Sequence, residues 1–547
     1  MLANLYLNAR TNRINMRIKK SNKRREILLF PPSLEELIPE ESVVRLIDAF
    51  VDSLDIESHG FEIIHKSKHQ AGAPQYAPSD LLKIYLYGYI NRTRSSRQLE
   101  GCCQINIEMM WLINGLTPGH VTIANFRKSN PNGLKQVFRT YNLFLQNQGL
   151  FGKKAIGVDS SKFSAQNSRR NNFNDTTIER HQKYIDKKTE EYIALLDQTD
   201  QEESQQLSSA QIKEKLEQLS HRKNKYNKLK EQLDKAKKHG EKQISTVDPD
   251  ARLLTSLGSK GQVSYNIQSA VDDKNYLIVH NEVTNTGDQN ALHKMASTAK
   301  EELQTDHIDA LADTGYDTGE ELKKCSQDKI ITYVAPRIQA GAKKDGKFKK
   351  DKFTYNEDTD TYICPEGKVM KTNGRWYTKN RKEKKDSKFK EYKLEYSICN
   401  SCKFKQECAG KRLNRKQSRV IERHEYADYT EANQERVKQN KDYYRRRQAI
   451  VEHPFGTIKR QWGYTYTLLK GKEKVGGEFD LICLSYNIRR SVSILGIKEL
   501  IRALKALKTD FFGFMRLFLV NFKLDRAPKV EITNYGSQKS RSEHTLL

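Results

Sequence analysis

Long apolar runs are missing from this chain, and no stretch reaches the length that a bilayer-spanning helix needs. The nearest approach, residues 511–522, is short and interrupted by Arg516, which fits a packing helix or an interfacial patch. Also missing is a secretory signal, since residues 1–30 are basic and lack an apolar core with a small-residue cleavage site. The expected location is therefore the cytoplasm, where cysteines stay reduced. Acidic residues are the third shortfall: 69 Asp and Glu stand against 96 Lys and Arg, a formal charge of +27 over 547 residues. That length exceeds one ordinary domain. That charge is too high for most metabolic enzymes and points to a polyanionic partner, most simply nucleic acid; an acidic membrane surface is the rival.

What is present begins with a helical unit, residues 1–148. Met16 opens a run that flows into Pro31-Pro32-Ser33-Leu34-Glu35-Glu36-Leu37-Ile38-Pro39, so the first fifteen residues read as an upstream extension. Val43, Val44, Ile47, Phe50, Val51 and Leu54 recur at helical spacing. After a Gly- and Pro-containing linker (70–78), Ser79 is placed to cap the next helix, and further helices are expected over 95–103, 105–113 and 121–128. Arg92, Arg94 and Arg97 lie between two of these, and Arg127 and Lys128 end another. Cations at helix ends suit phosphate contact, with a solvated charged surface as the alternative for any single one.

Three acids far apart in sequence carry the chemistry. Asp159 closes the apolar run 155–158, Asp313 closes 308–312, and Glu452 lies in Ile450-Val-Glu-His-Pro-Phe-Gly-Thr-Ile-Lys459. Each aspartate reads as the carboxylate at the end of a buried strand. Between them, 262–271 and 276–283 flank the turn tetrad 272–275 as a hairpin, followed by a helix near 290–303, the strand ending at Asp313, a helix from Thr318 and a strand over 330–335. That order fits an α/β domain with a mixed sheet of ribonuclease-H type, whose strand ends place carboxylates side by side.

Two insertions interrupt this core. Residues 177–242 are rich in Lys, Glu and Gln, with apolar positions at three- and four-residue steps and a break near 197–209. They read as a helical hairpin, either a solvated pair of helices or a dimer contact or DNA clamp. The second insertion, 340–425, holds Cys364, Cys399, Cys402 and Cys408. Cys399-x2-Cys402 has knuckle spacing and Cys364-Pro-Glu-Gly367 resembles half of another, so a closed structural zinc site is favoured over inert thiols. Beyond Glu452, Trp462, Tyr464 and Tyr466 interleave with Lys459, Arg460, Lys470 and Lys472; core packing is the default, stacking on unpaired bases the alternative. A helix over 479–495 is expected to pack on the sheet, and the tail beyond Ala527 is polar and expected to be disordered.

Together, the 31–39 opening, Asp159, Asp313-Thr-Gly-Tyr316, Asp248-Pro-Asp-Ala-Arg252, the cysteine insertion and Val451 to Lys459 resemble a DDE-type transposase of bacterial insertion sequences over nearly the whole chain. The resemblance implies a ribonuclease-H-like catalytic domain (149–496), followed by a C-terminal helix and tail (497–547). It implies two magnesium ions, replaceable by manganese, on Asp159, Asp313 and Glu452, and action in the bacterial cytoplasm at the nucleoid. It also implies recognition of element ends and target as double-stranded DNA by the N-terminal region, and assembly of a homodimer or larger complex on that DNA. Related transposases carry Tyr-x2-Arg-x3-Glu-x6-Lys. Here Lys459 fits, whereas Arg445 and Gln448 stand at the tyrosine and arginine positions, with Tyr444 and Arg447 one residue early. Arg445 lies on nearly the same helical face as Glu452 and is the expected replacement cation, and Pro454 is expected to kink the helix just after Glu452. Two other classes compete with cutting and rejoining: a metal nuclease that cuts without rejoining, and a DNA-binding descendant without catalysis.

Overall fold

The computed structural model describes residues 33–62, 75–199, 209–238, 240–255, 261–337, 348–378, 388–408 and 417–509. The expectations for the first fifteen residues, for 511–522 and for the tail lie outside the described residues.

The N-terminal unit is helical. Ser33 caps α1 (Leu34–Leu37) and Ser42 caps α2 (Val43–Val51), each hydroxyl accepting from a backbone N–H of the first turn. The next helix, α3 (Pro78–Ile90), starts two residues before a Ser79 cap would put it: Ala77 is the cap and Pro78 occupies the first turn, where its missing N–H costs nothing. Then follow α4 (Ser96–Ile105), α5 (Ile107–Leu112), α6 (His120–Ser129) and α7 (Pro131–Asn147).

The main sheet starts with β1 (Ala155–Ser164). After the short β2 (Asn172–Phe173) comes the charged arm, α8 (Asp175–Thr199) packed on α9 (Ser209–Lys238), and the chain returns through β3 (Ile244–Ser245) to β4 (Arg252–Leu254). At the root of the arm Phe173, Ile178, Leu229 and Leu233 form a small core, and Asp175 pairs with Lys230 and Lys237, both at 2.7 Å. The sheet continues with β5 (Gln262–Asp272), β6 (Ile278–Thr284), α10 (Leu292–Glu302), β7 (Ile308–Ala312), α11 (Gly319–Gln327) and β8 (Ile330–Val334). Strand β5 pairs antiparallel with β6 and β4 on one side and β1 on the other; β7 then runs parallel to β1, and β8 parallel to β7. This curled mixed sheet with crossover helices is consistent with a ribonuclease-H-like core.

The cysteine insertion is a second β module rather than a coreless loop. Its strands β9 (Thr354–Asn356), β10 (Thr361–Ile363), β11 (Val369–Thr372), β12 (Tyr377–Thr378), β13 (Lys388–Lys393) and β14 (Val420–His424) form one sheet. The short helices α12 (Tyr396–Asn400) and α13 (Lys405–Cys408) lie between the last two strands. Phe353, Tyr362, Met370, Tyr392 and Ile421 fill its core.

Four helices complete the described chain: α14 (Ala427–Gln439), α15 (Lys441–Gly456), α16 (Lys472–Leu495) and α17 (Ile497–Thr509). Helix α16 lies against β6, α7 and α3, so a single apolar core runs from the N-terminal helices into the main sheet. The closeness of α16 to α7 depends on Gly477, where an added Cβ would come within 2.7 Å of the Pro131 Cα. Among the described residues no helix is long and apolar enough to cross a membrane.

Candidate active site

Asp159 does not end its strand. It lies mid-way along β1 because β5 supplies a hydrogen-bonding partner as far as Ser164, whereas pairing with β7 stops at Val158 and Ala312. On that flank the sheet edge opens directly at Asp159. Asp313, the residue after β7, turns the chain there: its Oδ1 accepts the Gly315 N–H at 2.7 Å, capping a one-turn 3-10 helix, Thr314–Tyr316. Arg337, just past β8, holds the same turn by donating to the carbonyls of Thr314 and Gly315 at 3.3 and 3.1 Å.

A carboxylate that sequence reasoning did not single out joins them. Asp288 follows β6 and accepts from Asn266 Nδ2 and Gln268 Nε2, both at 2.8 Å. The same Gln268 accepts a hydrogen bond from the hydroxyl of buried Tyr316 at its Oε1, at 2.5 Å. A Cβ at Gly315 would lie 2.9 Å from Asp313 Oδ1 and 3.4 Å from Asp288 Oδ2, so the two carboxylates approach across a glycine. Asn266 and Gln268 are fully buried polar side chains on β5, and Asp288 is the acceptor that satisfies their amides, a relationship visible only in the fold. Burial pushes the Asp159 carboxyl up to about 6; the Ser160 amide and Arg447 oppose this, and Asp313 and Asp288 add to it. Tyr316 is raised well above the usual phenol range by burial and by Asp288, Asp159 and Asp313.

Helix α15 closes the site from the other side. Ile450 and Val451 seat on Gly157, where a Cβ would come within 2.6 Å of Val451 Cγ1. This contact fixes which face of α15 meets the sheet. Tyr444 and Arg447 share it: Tyr444 OH donates to Ala312 O at 3.3 Å and Arg447 Nη1 stands 3.6 Å from Asp159 Oδ2. The expectation for Arg445 is corrected, because Arg445 points to solvent and pairs with Asp442 at 3.0 Å. Glu452 follows Val451, which seats on Gly157 two residues before Asp159 in β1. Its carboxylate is exposed and accepts from Gln448 Nε2 at 2.9 Å.

Pro454 lies inside the helix, two residues after Glu452. The helix runs on to Gly456 and then widens into a π turn, Thr457–Gln461, which absorbs the irregularity. From this turn Lys459 Nζ reaches back to the Lys162 carbonyl at 2.6 Å and lies over the Phe163 ring. Burial, with Lys162 nearby, pushes Lys459 down to about 8. Arg460 is exposed on the same turn.

The remaining candidate cations divide by burial. Arg92, Arg97 and Lys128 are exposed. The expectation of phosphate contact is corrected for Arg94 and Arg127, whose guanidinium groups are interior. Arg94 lies 4.1 Å from the Tyr464 ring centre, donates to Tyr466 O at 3.0 Å and pairs with buried Glu478 at 3.2 Å. Arg127 donates to Tyr89 OH at 2.8 Å. Trp462 and Tyr464 are buried in the core, while Tyr466 is exposed.

Among the described residues no three His, Cys, Asp or Glu side chains are gathered tightly enough to cage a metal ion unaided. The donor types still fit: the carboxylates of Asp159, Asp313 and Asp288 are oxygen ligands of the kind a hard divalent cation takes, and the charges of Asp313 and Asp288 add to the rise of Asp159. The four thiols of the inserted module influence one another electrostatically. Burial pushes Cys408 up to about 11, with Arg419 opposing and Cys399, Cys364 and Cys402 adding to the rise. Cys364 Sγ accepts the Lys368 N–H at 3.4 Å across a turn closed by Gly367, an arrangement suited to a thiolate ligand.

Fold and site together are those of a mixed α/β protein, consistent with a ribonuclease-H-like core, in which Asp159 and Asp313 follow paired positions of two central strands. Two family models match the chain, a transposase DDE domain over residues 363–492 and a transposase domain (DUF772) over residues 32–129. Both are transposase domains, consistent with a DDE transposase of an insertion element. The first match includes Glu452, whereas Asp159 and Asp313 lie between the two. Searches of curated proteins and of solved structures gave no match.

Proposed function

We propose that this chain is a DNA transposase that binds the ends of its own insertion sequence, cuts there and joins the freed 3' end to target DNA. The observation that carries this reading is the meeting of Asp159 and Asp313 at one open sheet edge, with the Glu452 helix seated on β1 beside them. Asp159, Asp313 and Glu452 would hold two magnesium or manganese ions, which supply charge neutralisation and an activated water or 3'-hydroxyl at the scissile phosphate. The protein's own contribution is placement. Gly315 and Arg337 orient Asp313, Arg447 holds Asp159 from the opposite side, and Glu452, now exposed and bonded to Gln448, would have to give up that bond to join the pair. Lys459, Arg460 and the exposed cations Arg92, Arg97, Lys128 and Arg445 neutralise phosphates along the bound duplex.

We assign end recognition to residues 1–148 and catalysis to 149–496. Zinc on Cys364, Cys399, Cys402 and Cys408 staples the inserted β module. The working form is a homodimer or larger assembly on DNA, in the bacterial cytoplasm at the nucleoid. The test incubates purified protein and magnesium with labelled duplexes taken from the DNA flanking its own coding region. Nicked and joined products from the wild type, lost in Asp159→Asn, Asp313→Asn and Glu452→Gln, are expected. Cleavage without joined products would favour the simple nuclease, and binding without cleavage the inactive descendant.

A further inference from the structure

We propose that the solvent face of α6, carrying Val121, Thr122, Asn125 and Lys128, enters the major groove of duplex DNA and reads base edges; this rests on the transposase reading above. The helix is fixed from below. Ile123, Phe126 and Arg127 are buried, Tyr85 OH donates to the Ile123 carbonyl at 2.7 Å, and Arg127 Nη1 donates to Arg94 O at 3.3 Å. Its other face is therefore presented in one orientation, and Val121, Thr122, Asn125 and Lys128 are all exposed on it, Val121 at 60%. From 121 to 128 the helix rises about 10 Å, roughly the length of three stacked base pairs.

Charge identifies the occupant. From Met109 to Val158 the chain has no Asp or Glu in 50 residues, against six Lys and Arg. The bond from Arg127 to Arg94 O brings the C-terminal end of α6 to the start of α4, which packs beside it. Exposed Arg92 and Arg97 thus join Lys128 at that end, as phosphate contacts flanking a groove-bound helix. The types on the face match base edges: an asparagine amide pairs with adenine, a threonine hydroxyl with several bases, and valine methyls with the thymine methyl. A second copy of this chain is the poorer partner, because it would bring the same cations against themselves.

The test selects duplexes from a randomised library with the full-length protein and with Thr122→Ala, Asn125→Ala, Asn125→Ser and Lys128→Ala, each checked for an unchanged melting temperature. The wild type is expected to enrich a motif. Both Asn125 variants are expected to lose preference at one base position by roughly tenfold, and Thr122→Ala at a neighbouring one. Lys128→Ala is expected to weaken all sequences alike and flatten the salt dependence. A motif unchanged in the Thr122 and Asn125 variants overturns the proposal, as does DNA binding without any enriched motif. So does a change confined to oligomeric state, which would make this face a contact between copies. Failure of the wild type to bind any duplex would instead remove the transposase reading beneath it.

Discussion

Arg447 Nη1 stands 3.6 Å from Asp159 Oδ2, so the guanidinium that meets the buried carboxylate is five residues before Glu452 and on the face of α15 that packs against the sheet. It favours the ionised form of an acid that burial pushes the other way. Arg447→Met is expected to move the acid limb of the cleavage rate to higher pH, while Arg445→Met leaves it in place. Measurement of pH–rate profiles at fixed magnesium checks this. An acid limb that ignores Arg447 would mean that the pair is incidental.

Asp159 also couples pH to stability. Its folded-state value of about 6 lies above the ordinary 3.8, so the native state holds a proton that the unfolded chain gives up first. Stability from this group is therefore fully present below about pH 4 and is lost as pH rises towards 6. Asp159→Asn removes the cost, and is expected to raise metal-free stability at pH 8 by about 1–2 kcal/mol, discounted for partial exposure, with little change at pH 4. Thermal melts at the two pH values decide it; equal effects at both would show that ionisation is not the cause.

Gly315 separates Asp313 from Asp288 with no room for a methyl group. Gly315→Ala is expected to reduce cleavage by roughly a hundredfold or more through carboxylate displacement, with a stability loss of about 1 kcal/mol. Parallel activity and melting measurements separate these effects. Near-normal cleavage in a folded variant would show that the spacing of these two acids does not matter.

The inserted β module offers a metal-removal test. Protein as purified is expected to carry one zinc per chain, and either a strong chelator or Cys402→Ser is expected to release it and lower the melting temperature. Elemental analysis of the native protein and of Cys402→Ser reads this directly. Zinc-free protein with an unchanged melt would reduce the four cysteines to packing residues.

Much of the catalytic sheet was legible from periodicity. The hairpin, the Asp313 strand and the following strand fall within a few residues of their expected bounds, because apolar runs bounded by turn residues have few other ways to be buried. Asp288 was not legible. The segment Gly287-Asp288-Gln289-Asn290 reads as an ordinary turn, and its place in the site comes from hydrogen bonds to two side chains of another strand. Counting back from Glu452 favoured Arg445. The structure favours Arg447, because the seat of Ile450 and Val451 on Gly157 sets the rotation of α15.

By itself, the sequence determined the element order and the places of Asp159 and Asp313 at the ends of apolar runs, and its charge pointed to a polyanionic partner, since charge balance and apolar spacing are properties of the chain alone. Only the tertiary structure decided which cations are free to meet DNA. Arg94 and Arg127 look like their exposed neighbours in the sequence, yet their guanidinium groups are held inside by Glu478, Tyr464 and Tyr89. A buried cation is stable only where distant residues supply counter-charge and acceptors, and bringing those residues together is the work of the fold.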